Sequence, residues 1–415
     1  MHVAFFNRSF YPDTTATGQL LTDLCEDLVR DHGCRVSVVA GPSLNPSHEG
    51  RAGADGAGRW RLVGRETYRG IEIFRAQGTR LRKERFAGRA TNYMTYFFSA
   101  CWAGLKLDRP DVVVALTDPP IIGLAALASG KRFGAPLVMA FKDLFPEVTA
   151  LLPDFRSETI NSALQRINRF LVRRAARNLA LGETMRRRLI DDKGAPPERT
   201  EIIPDWADTA AIAPGPKRNP FSIARGLADV FVVMHSGNLG LSQGLETIVD
   251  AAALLRDVPD LLVVFQGEGV MKPDLEVRAR TLGLENVRFL PYAPREQLGE
   301  SFASADLFIV SLQRGLSGYI VPSKLYGILA AGRPYVAAVE ETCEVAAIAK
   351  AHDCGRLAEP GSARALADQI RAFYRDRDMT ARCGRNAREA GLLFDRKAQV
   401  ARYMKVFEAV VREQA

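Results

Sequence analysis

The feature that most constrains the fold of this chain is an alternation of short β-branched runs with longer amphipathic stretches, which occurs twice. In the first half the predicted strands are 2–7, 35–40, 71–76, 111–116, 136–141 and 178–182. The second series of predicted strands is 230–237, 260–269, 286–292, 305–312 and 334–339. The predicted helices between them include 18–31, 91–107, 243–256, 272–282, 295–303, 322–331, 343–351 and 363–375. Strands that alternate with helices form parallel sheets covered by helices, so the chain is predicted to be an α/β protein.

The repeat of this pattern predicts two similar domains. A length of 415 residues also favours two domains over one. We place an amino-terminal domain at 1–205, a second domain at 206–393 and a final helical segment at 394–415 that packs back on the first domain. The proline-rich stretch 214–220 has the composition of a linker, and the Gly- and Ser-rich segment 41–66 is predicted to be a mobile loop. Two such domains form a cleft, and ligands bind at the carboxyl ends of the strands.

Composition narrows the possible partners. The chain is 47% hydrophobic and 25% charged, which is typical of globular proteins. Its net charge of +8 favours an anionic partner such as a nucleotide, a phospholipid surface or a nucleic acid. The sequence contains no recognised nucleic-acid module, so we predict no nucleic-acid partner. The six cysteines lack C-x-x-C spacing, which predicts reduced thiols and no zinc site. Without a predicted leader or span, we expect a cytoplasmic protein that can touch the inner face of the membrane.

Polar residues follow the first predicted strand. Asp13, Thr15 and Thr17 precede or open the next helix, and Gly18 lies at its start. A glycine there permits close approach of the backbone, and the hydroxyls can hydrogen-bond a polar substrate. The spacing is not G-x-G-x-x-G, so a dinucleotide site is not predicted. The structural alternative is an ordinary N-capped helix after a turn.

A second polar group follows the predicted strand 136–141. Lys142, Asp143 and Glu147 come directly after this apolar run, where the cleft is expected. A carboxylate at such a position can accept a proton from a hydroxyl nucleophile, which makes Asp143 a candidate catalytic residue. The alternative is that Asp143 caps a helix.

Two further junctions lie in the second half. The stretch "HSGNLGLSQGLE" (235–246) places Gly237 in a turn whose backbone amides can face a phosphate, and Asn238 and Gln243 add neutral donors. We expect the helix that follows to present its amino-terminal end to the same cleft.

The last junction is "YIVPSKLYGILAAGRP" (319–334), which follows "QRGLSGY" (313–319). Ser323 is predicted to cap an apolar helix, and Lys324 adds a positive charge to the end of that helix that attracts anions. Together with Arg314, these residues can surround a diphosphate. The alternative is a capped core helix with a solvated lysine. Two helix amino termini with a lysine between them favour the anion site.

Basic and aromatic residues gather in the segment 75–105 and again in 165–178. The first cluster combines cations with aromatic and apolar side chains, namely Arg80, Arg82, Lys83, Arg85, Arg89, Tyr93, Met94, Tyr96, Phe97, Phe98 and Trp102. Such a face suits an anionic membrane surface. The alternative is a solvated charged face beside core aromatics.

Taken together, these stretches resemble a known family. The resemblance rests on the following stretches, which occur in this order over nearly all of 1–410: "FYPDTTATGQLLTDLCEDL", "FKDLFPE", "IIPDWAD", "HSGNLGLSQGLETIVDAA", "GEG", "NVRFLPY" and "VPSKLYGILAAGRP". The chain resembles bacterial retaining glycosyltransferases of family 4, which have the GT-B fold of two Rossmann-like domains. It looks most like the subgroup that makes exopolysaccharide and O-antigen, including transferases of fucose or N-acetylfucosamine.

The resemblance implies a donor and an acceptor. A UDP- or GDP-linked sugar would be bound mainly by the second domain, and the acceptor by the first. By this resemblance Gly18 faces the donor sugar and phosphate, and Asp143 falls where the family contacts the sugar. Asn238 and Gln243 take the places of an arginine and a lysine that hold the pyrophosphate in many members. The remaining predicted donor contacts are Gly267 in "GEG" and Leu290, which lies where main-chain groups hold the base.

The sequence also departs from the family. Members carry two glutamates eight positions apart before the "A-x-G-x-P" helix, and Tyr319 and Gly327 stand at the matching places. The resemblance then implies that Lys324, Arg314 and the helix dipoles neutralise the diphosphate instead.

The predicted function is a retaining hexosyltransferase that acts on a polyprenyl-diphosphate-linked saccharide. Asp143 and Lys324 are the predicted catalytic residues; Asp13, Thr15, Thr17 and Glu147 are the predicted acceptor contacts. No metal and no cofactor beyond the nucleotide-sugar donor are predicted. The alternatives are a catalytically silent sugar-nucleotide-binding subunit of an assembly complex, a GT-B-fold epimerase and, last, a nucleic-acid binder.

Overall fold

The computed structural model describes residues 1–13, 15–42, 62–79, 86–148 and 157–414 of the chain. The chain divides into two compact units. One unit consists of Met1–Pro204 with Gln399–Ala415, and the other is Asp205–Ala398. Within the described residues, no helix combines the length and the apolar character that crossing a bilayer requires.

The first unit is built on an eight-stranded sheet. Its strands are β1 His2–Phe6, β2 Arg35–Ala40, β3 Val63–Tyr68, β4 Ile71–Ala76, β5 Val112–Ala115, β6 Leu137–Ala140, β7 Arg177–Ala180 and β8 Thr200–Ile202. Their order is β3-β4-β2-β1-β5-β6-β7-β8, and only the β3–β4 pair is antiparallel. The helices that belong to this unit are α1 Ala16–Arg30, α2 Phe86–Gly104, α3 Ile122–Phe133, α4 Glu158–Arg174, α5 Glu183–Asp191 and most of α14 Arg396–Arg412.

The second unit is built on a six-stranded parallel sheet. Its strands are β9 Phe231–Ser236, β10 Leu261–Gln266, β11 Val287–Leu290, β12 Leu307–Ser311, β13 Tyr335–Ala338 and β14 Gly355–Ala358, in the order β11-β10-β9-β12-β13-β14. Its helices are α6 Pro220–Ala224, α7 Glu246–Leu254, α8 Lys272–Thr281, α9 Leu298–Ala303, α10 Lys324–Ala330, α11 Glu344–His352, α12 Ala363–Arg375 and α13 Arg377–Leu392.

The central strands are apolar along most of their length because both faces of each sheet are covered. Every residue of β5 and of β10 is buried, as a parallel sheet covered by helices requires. In the second unit, side chains from β9, β10, β12 and β13 share one core with α7, α8, α12 and α13. These strands therefore hold their carboxyl ends in fixed positions, where ligands bind in sheets of this kind.

The structure corrects the sequence analysis at several elements. Residues 43–61 of the predicted loop lie outside the described residues, but its end forms β3, which pairs with β4. β3 lies at the sheet edge and only its Gly64 is buried, so it lacks the continuous apolar run that marked the other strands. The elements β14 and α13 were also not predicted.

The stretch 214–220 does not behave as a free linker. Lys217 Nζ donates to the Asp306 carboxylate and to the Val230 carbonyl. Asn219 forms a capping box with Ser222 at the start of α6. The contacts of Lys217 and Asn219 therefore fix this segment in a loop that belongs to the second unit, and composition alone did not reveal them.

Candidate functional site

The carboxyl end of β9 is the natural place for a ligand in the second unit. β9 lies between β10 and β12, so the strand order reverses there and helices leave on both sides. Such a switch point opens a crevice outside the ends of the strands. β9 ends at Ser236 and β10 ends at Gln266, and each is followed by a glycine, Gly237 and Gly267.

These two glycines bring their backbones into close contact. Gly237 N donates to the Gln266 carbonyl over 2.9 Å. Gly237 has φ +122° and Gly267 has φ +150°, a region that side chains disfavour. A Cβ on Gly267 would lie only 1.9 Å from the Gly237 carbonyl oxygen. Glycine at 267 is therefore required by the packing of the two turns.

The predicted base-binding strand lies beside this turn. Gly267 N donates to the Leu290 carbonyl over 2.9 Å at the end of β11. The Tyr292 ring, which is half exposed, lies 3.4 Å from where a Cβ on Gly267 would be. Phe289 stacks on Phe265 with ring centroids 5.0 Å apart, which anchors β11 to the core. The structure thus brings Gly267 and Leu290 together, and their contact with a base stays a prediction.

Lys324 lies at the same end of the sheet. Its Nζ donates to Gln243 Oε1 over 2.7 Å and lies 2.8 Å from His235 Nε2. Its Cε would be 3.4 Å from a Cβ on Gly237. The structure therefore gathers Gly237, Gln243 and Lys324, which the sequence analysis assigned to one site.

The ammonium group of Lys324 has no counter-charge in the described part of the chain, where it forms no ion pair. Its two hydrogen-bond partners, Gln243 and His235, are both uncharged. Lys324 as a whole is half-buried, and desolvation of its amine lowers the pKa of that group from 10.5 to about 7. Burial and the charge of Lys324 lower the pKa of His235 well below 6.5, so the imidazole is neutral at pH 7. A cation held in this way favours the binding of an anion.

Ser323 does not cap the helix, contrary to the prediction. Its backbone is already helical, with φ −61° and ψ −22°, and its side chain makes no capping hydrogen bond. A serine caps through its side chain when its own backbone is extended, which is not the case here. α10, which starts at Lys324, is also only seven residues long. The attraction for an anion at this point depends on the Lys324 charge more than on the helix end.

Arg314 contacts the residues that follow β14. Its guanidinium pairs with Glu359, and its Nε donates to the Pro360 carbonyl over 3.2 Å. Arg314 and Gln243 both line a cavity of about 290 Å³, and Gln243 also contacts Lys324. Asn238 is exposed in the turn after Gly237. Direct contacts of Arg314, Asn238 and Ser323 with a diphosphate stay predictions.

Gly327, which stands where the family carries its second glutamate, faces the interior of the unit. A Cβ at this position would lie 3.2 Å from the Phe302 ring. A longer side chain would force Phe302 to move, so the glycine is explained by close packing of α10 on α9. This packing gives a local physical reason for one departure from the family pattern.

In the first unit, the loop after β1 has the structure of an N-capped helix. Thr15 Oγ1 accepts a hydrogen bond from Gly18 N over 3.3 Å, and Gly18 is buried. Asp13 is buried, Thr17 is half-buried and Thr15 is exposed. The structural alternative is therefore present, and a role of these residues toward a sugar stays a prediction.

Asp143 follows β6 and is half-buried. The backbone amides of Lys142 and Asp143 both donate to Thr117 Oγ1, each over 3.3 Å. Asp143 precedes a short helical turn in which Val148 N donates to the Leu144 carbonyl over 3.3 Å, so the helix-cap alternative is compatible with this loop. The loop is thus tied to the end of β5, which fixes the backbone that carries Asp143.

Glu147 has a structural partner. Lys193 Nζ lies 2.6 Å from both carboxylate oxygens of Glu147, donates to the Phe145 carbonyl over 2.8 Å and also contacts Gln165. The Lys193 side chain is 1% exposed and that of Glu147 is 25% exposed. This buried ammonium holds the loop after Asp143 in place, and the predicted contact of Glu147 with an acceptor stays a prediction.

We expect Glu147→Gln to lower the free energy of unfolding by about 2 kcal/mol, because it leaves the Lys193 charge buried without its counter-charge. Urea unfolding followed by circular dichroism measures this change. Glu183→Gln, which removes an exposed partner of Arg187, is the control and should change stability by less than about 0.5 kcal/mol. If Glu147→Gln instead leaves stability unchanged and raises the KM for the acceptor, the structural role is wrong.

His235 and Lys193 are the functional or supporting residues that sequence reasoning missed. His235 lies inside the quoted stretch 235–246, but only the folded chain shows that it contacts Lys324, 89 residues away. Lys193 follows α5 in an otherwise polar segment that carries no motif. The apolar run of the predicted strand 230–237 signals the burial of His235, whereas nothing in the sequence signals that of Lys193.

The described residues contain no group of three or more His, Cys, Asp or Glu side chains placed to hold a metal ion. All six cysteines are free thiols, and only Cys101 among them is partly exposed.

Comparison with known proteins identifies the family. Residues 16–206 match the family model described as a glycosyl transferase 4-like domain, and residues 223–390 match that of glycosyl transferases group 1. The chain is 26% identical over 285 residues to "Probable glycosyltransferase WbjE" of Pseudomonas aeruginosa, covering 68% of this chain and 70% of that protein. It is 30% identical over 184 residues to WcaI of Escherichia coli K12, a candidate colanic acid biosynthesis glycosyl transferase. That match covers 43% of this chain and 45% of WcaI.

Solved structures show the fold. HepE of Anabaena, in complex with UDP, superposes with a TM-score of 0.72 at 19% identity and covers 99% of this chain and 100% of its own. Sucrose-phosphate synthase of Thermosynechococcus elongatus superposes with a TM-score of 0.78 at 16% identity over the whole of both chains. The predicted GT-B fold class is confirmed by these likenesses. With its two halves matched by the two domain models of the family, the chain belongs to family 4 of the retaining, nucleotide-sugar-dependent glycosyltransferases.

Proposed function

We propose that the protein transfers a hexose, a 6-deoxy or N-acetylamino sugar in the first instance, from UDP or GDP to a lipid-linked saccharide of a cell-surface polysaccharide. The observation that carries the proposal is Lys324, a cation held by two neutral side chains at the end of β9. The name of WcaI, which refers to colanic acid biosynthesis, supports the polysaccharide context. The HepE complexes with UDP and UDP-glucose support a UDP-linked donor as the first to test.

In the proposed reaction, the acceptor hydroxyl oxygen attacks the anomeric carbon on the face from which the diphosphate leaves. The bond between the anomeric carbon and the diphosphate oxygen breaks, and the hydroxyl proton passes to that oxygen. Lys324 stabilises the charge that develops on the leaving group, which is a large effect in a partly buried site. Asp143 positions the acceptor hydroxyl or the sugar, and the second unit holds the nucleotide through Gly267 and Leu290.

A donor screen followed by product analysis tests the proposal. A thermal-shift series with UDP- and GDP-sugars should find a donor that raises the melting temperature, because a ligand stabilises the state that it binds. Incubation of that donor with a polyprenyl-diphosphate-linked saccharide should yield a product with the anomeric configuration of the donor, read by NMR. Asp143→Asn should retain the thermal shift and lose transfer. A purified protein that binds no nucleotide sugar, or that inverts the configuration, would contradict the proposal.

We also propose that α2 contacts an anionic lipid surface. Met94, Phe98, Trp102 and Leu105 recur at helical spacing along and just beyond α2, and each is 43–63% exposed. We call these four residues the α2 stripe. Lys106 Nζ lies 5.1 Å from the centre of the Trp102 ring, which places a cation beside the stripe. Of the predicted basic residues, Arg80, Arg82, Lys83 and Arg85 lie outside the described residues, and the side chain of Arg89 does too.

We expect the double variant Phe98→Glu/Trp102→Glu to lower binding to vesicles with anionic lipid at least tenfold. Burying each aromatic side chain contributes about 1.5–3 kcal/mol, and the added carboxylates repel the surface. Flotation with anionic and with neutral vesicles measures the bound fraction. Val277→Glu, a substitution of an exposed apolar residue on α8, is the control and should float like the parent. Failure of the parent protein to float with either vesicle would leave the α2 stripe as ordinary surface.

A further inference from the structure

His235 is a buried partner of Lys324 that has no assigned role. Its imidazole is 0% exposed, and its Nε2 lies 2.8 Å from Lys324 Nζ. The residue belongs to β9, where it pairs in register with Phe265 of β10, and their ring centroids are 6.1 Å apart. A side chain fixed in the centre of a sheet holds its hydrogen-bonding atom in one place. His235 therefore gives Lys324 a hydrogen-bond partner that is fixed in the sheet. Gln243, the other partner, is only half-buried.

The protonation state of His235 makes it an acceptor toward Lys324. Burial first and the Lys324 charge second lower the pKa of His235 well below 6.5. A neutral imidazole has one nitrogen that accepts, and Nε2 faces the ammonium. With Gln243 Oε1 as the other acceptor, two of the three N–H groups of Lys324 are directed into the protein. The third N–H group is left for a ligand.

Three acidic residues that follow β10, β13 and β14, at the carboxyl ends of the strands of this sheet, have partners of their own. Glu268 pairs with Lys272 over 2.7 Å, and Glu340 accepts a hydrogen bond from Gly315 N over 3.1 Å. Glu359 pairs with Arg314, which lines the same cavity as Gln243. In the described part of the chain, therefore, the Lys324 ammonium is left to take its counter-charge from a ligand.

We propose that His235 is a positioning residue that, with Gln243, aims the Lys324 ammonium at the donor diphosphate, and that diphosphate binding loads a proton onto Lys324. The inference rests on the proposed function, because it assumes that a nucleoside diphosphate group binds beside Gly237. It adds to that function a positioning role for His235 and the uptake of one proton by Lys324. The proton is taken from solvent and stays on Nζ while the diphosphate is bound.

The sign of the pH dependence follows from the two states of Lys324. In the free protein its pKa is about 7, and the negative charge of a bound diphosphate raises that pKa. Between about pH 6 and pH 7 the amine is mostly charged in both states and the terminal phosphate is mostly ionised, so affinity is at its maximum there. As the pH rises above 7 the free protein loses the proton and the complex keeps it. Affinity then falls by up to about tenfold per pH unit until the pKa of the complex is reached.

Calorimetric titration of the full chain with UDP, and in parallel with GDP, between pH 7 and pH 9 tests the inference. The terminal phosphate of either probe is ionised over this range, since its pKa is about 6. Titration in two buffers of different ionisation enthalpy counts the protons taken up. We expect the parent protein to take up a proton and to bind more weakly as the pH rises. Lys324→Met should bind more weakly and show neither effect.

His235→Gln and His235→Asn form a matched pair. A glutamine oxygen reaches the position of Nε2, whereas the shorter asparagine does not. We expect His235→Gln to keep the affinity of the parent within about threefold. His235→Asn should lose roughly tenfold at pH 7, the value of one hydrogen bond to a charged group. The loss should vanish in the Lys324→Met background, because the two residues act as one unit. Melting temperatures show whether each variant is folded.

These titrations distinguish failure of the proposed function from failure of the role proposed for His235 and Lys324. If neither UDP nor GDP binds the parent protein, the proposed function itself is contradicted. If the parent binds UDP with no proton uptake, or if His235→Asn binds it with the parent's affinity and pH dependence, the further inference is overturned and the proposed function stands. If His235→Gln and His235→Asn lose affinity equally in both Lys324 backgrounds, His235 supports the fold alone and the positioning role is wrong.

Discussion

Lys324→Ala should lower the turnover of sugar transfer at least tenfold. A hydrogen bond from an ammonium group to a charged partner contributes about 1.5–3 kcal/mol, which corresponds to roughly 10- to 150-fold in rate if it is formed fully in the transition state. In the proposed reaction the charge on the diphosphate grows as the sugar leaves. The Lys324 contact therefore strengthens at that moment, so the loss is expected mainly in kcat. Initial rates with the donor found in the screen measure it.

Lys350→Ala is the matched control for this substitution. It removes the same charge from the same unit, but Lys350 is exposed on α11 and pairs with Glu341 over 2.8 Å. We expect its turnover to equal that of the parent. An unchanged turnover for Lys324→Ala would remove Lys324 from the active site. An equal loss in both variants would indicate a general effect of net charge.

Gly267→Ala should cost about 3 kcal/mol or more of the free energy of unfolding and abolish donor binding. The new Cβ would lie 1.9 Å from the Gly237 carbonyl oxygen, a backbone atom that cannot rotate away. The φ of +150° adds roughly 1–3 kcal/mol of backbone strain for any residue with a side chain. Relief of the overlap must separate the turns after β9 and β10, which carry the predicted nucleotide contacts. Urea unfolding and UDP titration measure the two effects.

Gly283→Ala separates backbone strain from the overlap. Gly283 also has a positive φ, +63°, but a Cβ there would meet nothing within 4 Å. We expect this control to lose about 1 kcal/mol and to bind UDP like the parent. If Gly267→Ala were as stable as Gly283→Ala and bound UDP, the contact between the two turns would not be required for the site.

The fold was predictable because the pattern that marks a parallel α/β unit is local. Each buried strand, such as β5 or β10, is a continuous apolar run, and each is followed by a helix with one apolar face. The edge strand β3 was missed for the opposite reason, since its residues are mostly exposed or half-buried and form no apolar run. Its pairing with β4 depends on a neighbour that comes later in the chain.

The candidate site was only partly predictable. Lys324 and Gln243 were found because each follows a strand in a turn that opens a helix. The predictions for Arg314 and Glu147 were incomplete, because the sequence does not show which side chains pair with each other in the folded protein. Arg314 pairs with Glu359, 45 residues away, and Glu147 pairs with Lys193, 46 residues away. The prediction that Ser323 caps the helix was wrong because its own backbone is already helical.

By itself, the sequence determined the two α/β units and the family, because both depend on apolar periodicity and on short motifs that neighbouring residues specify. Only the tertiary structure decided what the polar residues do. It placed neutral His235 beneath Lys324 and buried the charge of Lys193 against Glu147. The physical reason is that the free energy of a charged side chain depends on its desolvation and on the partners that folding brings near it. Those partners come from distant parts of the chain, so no local pattern of residues predicts them.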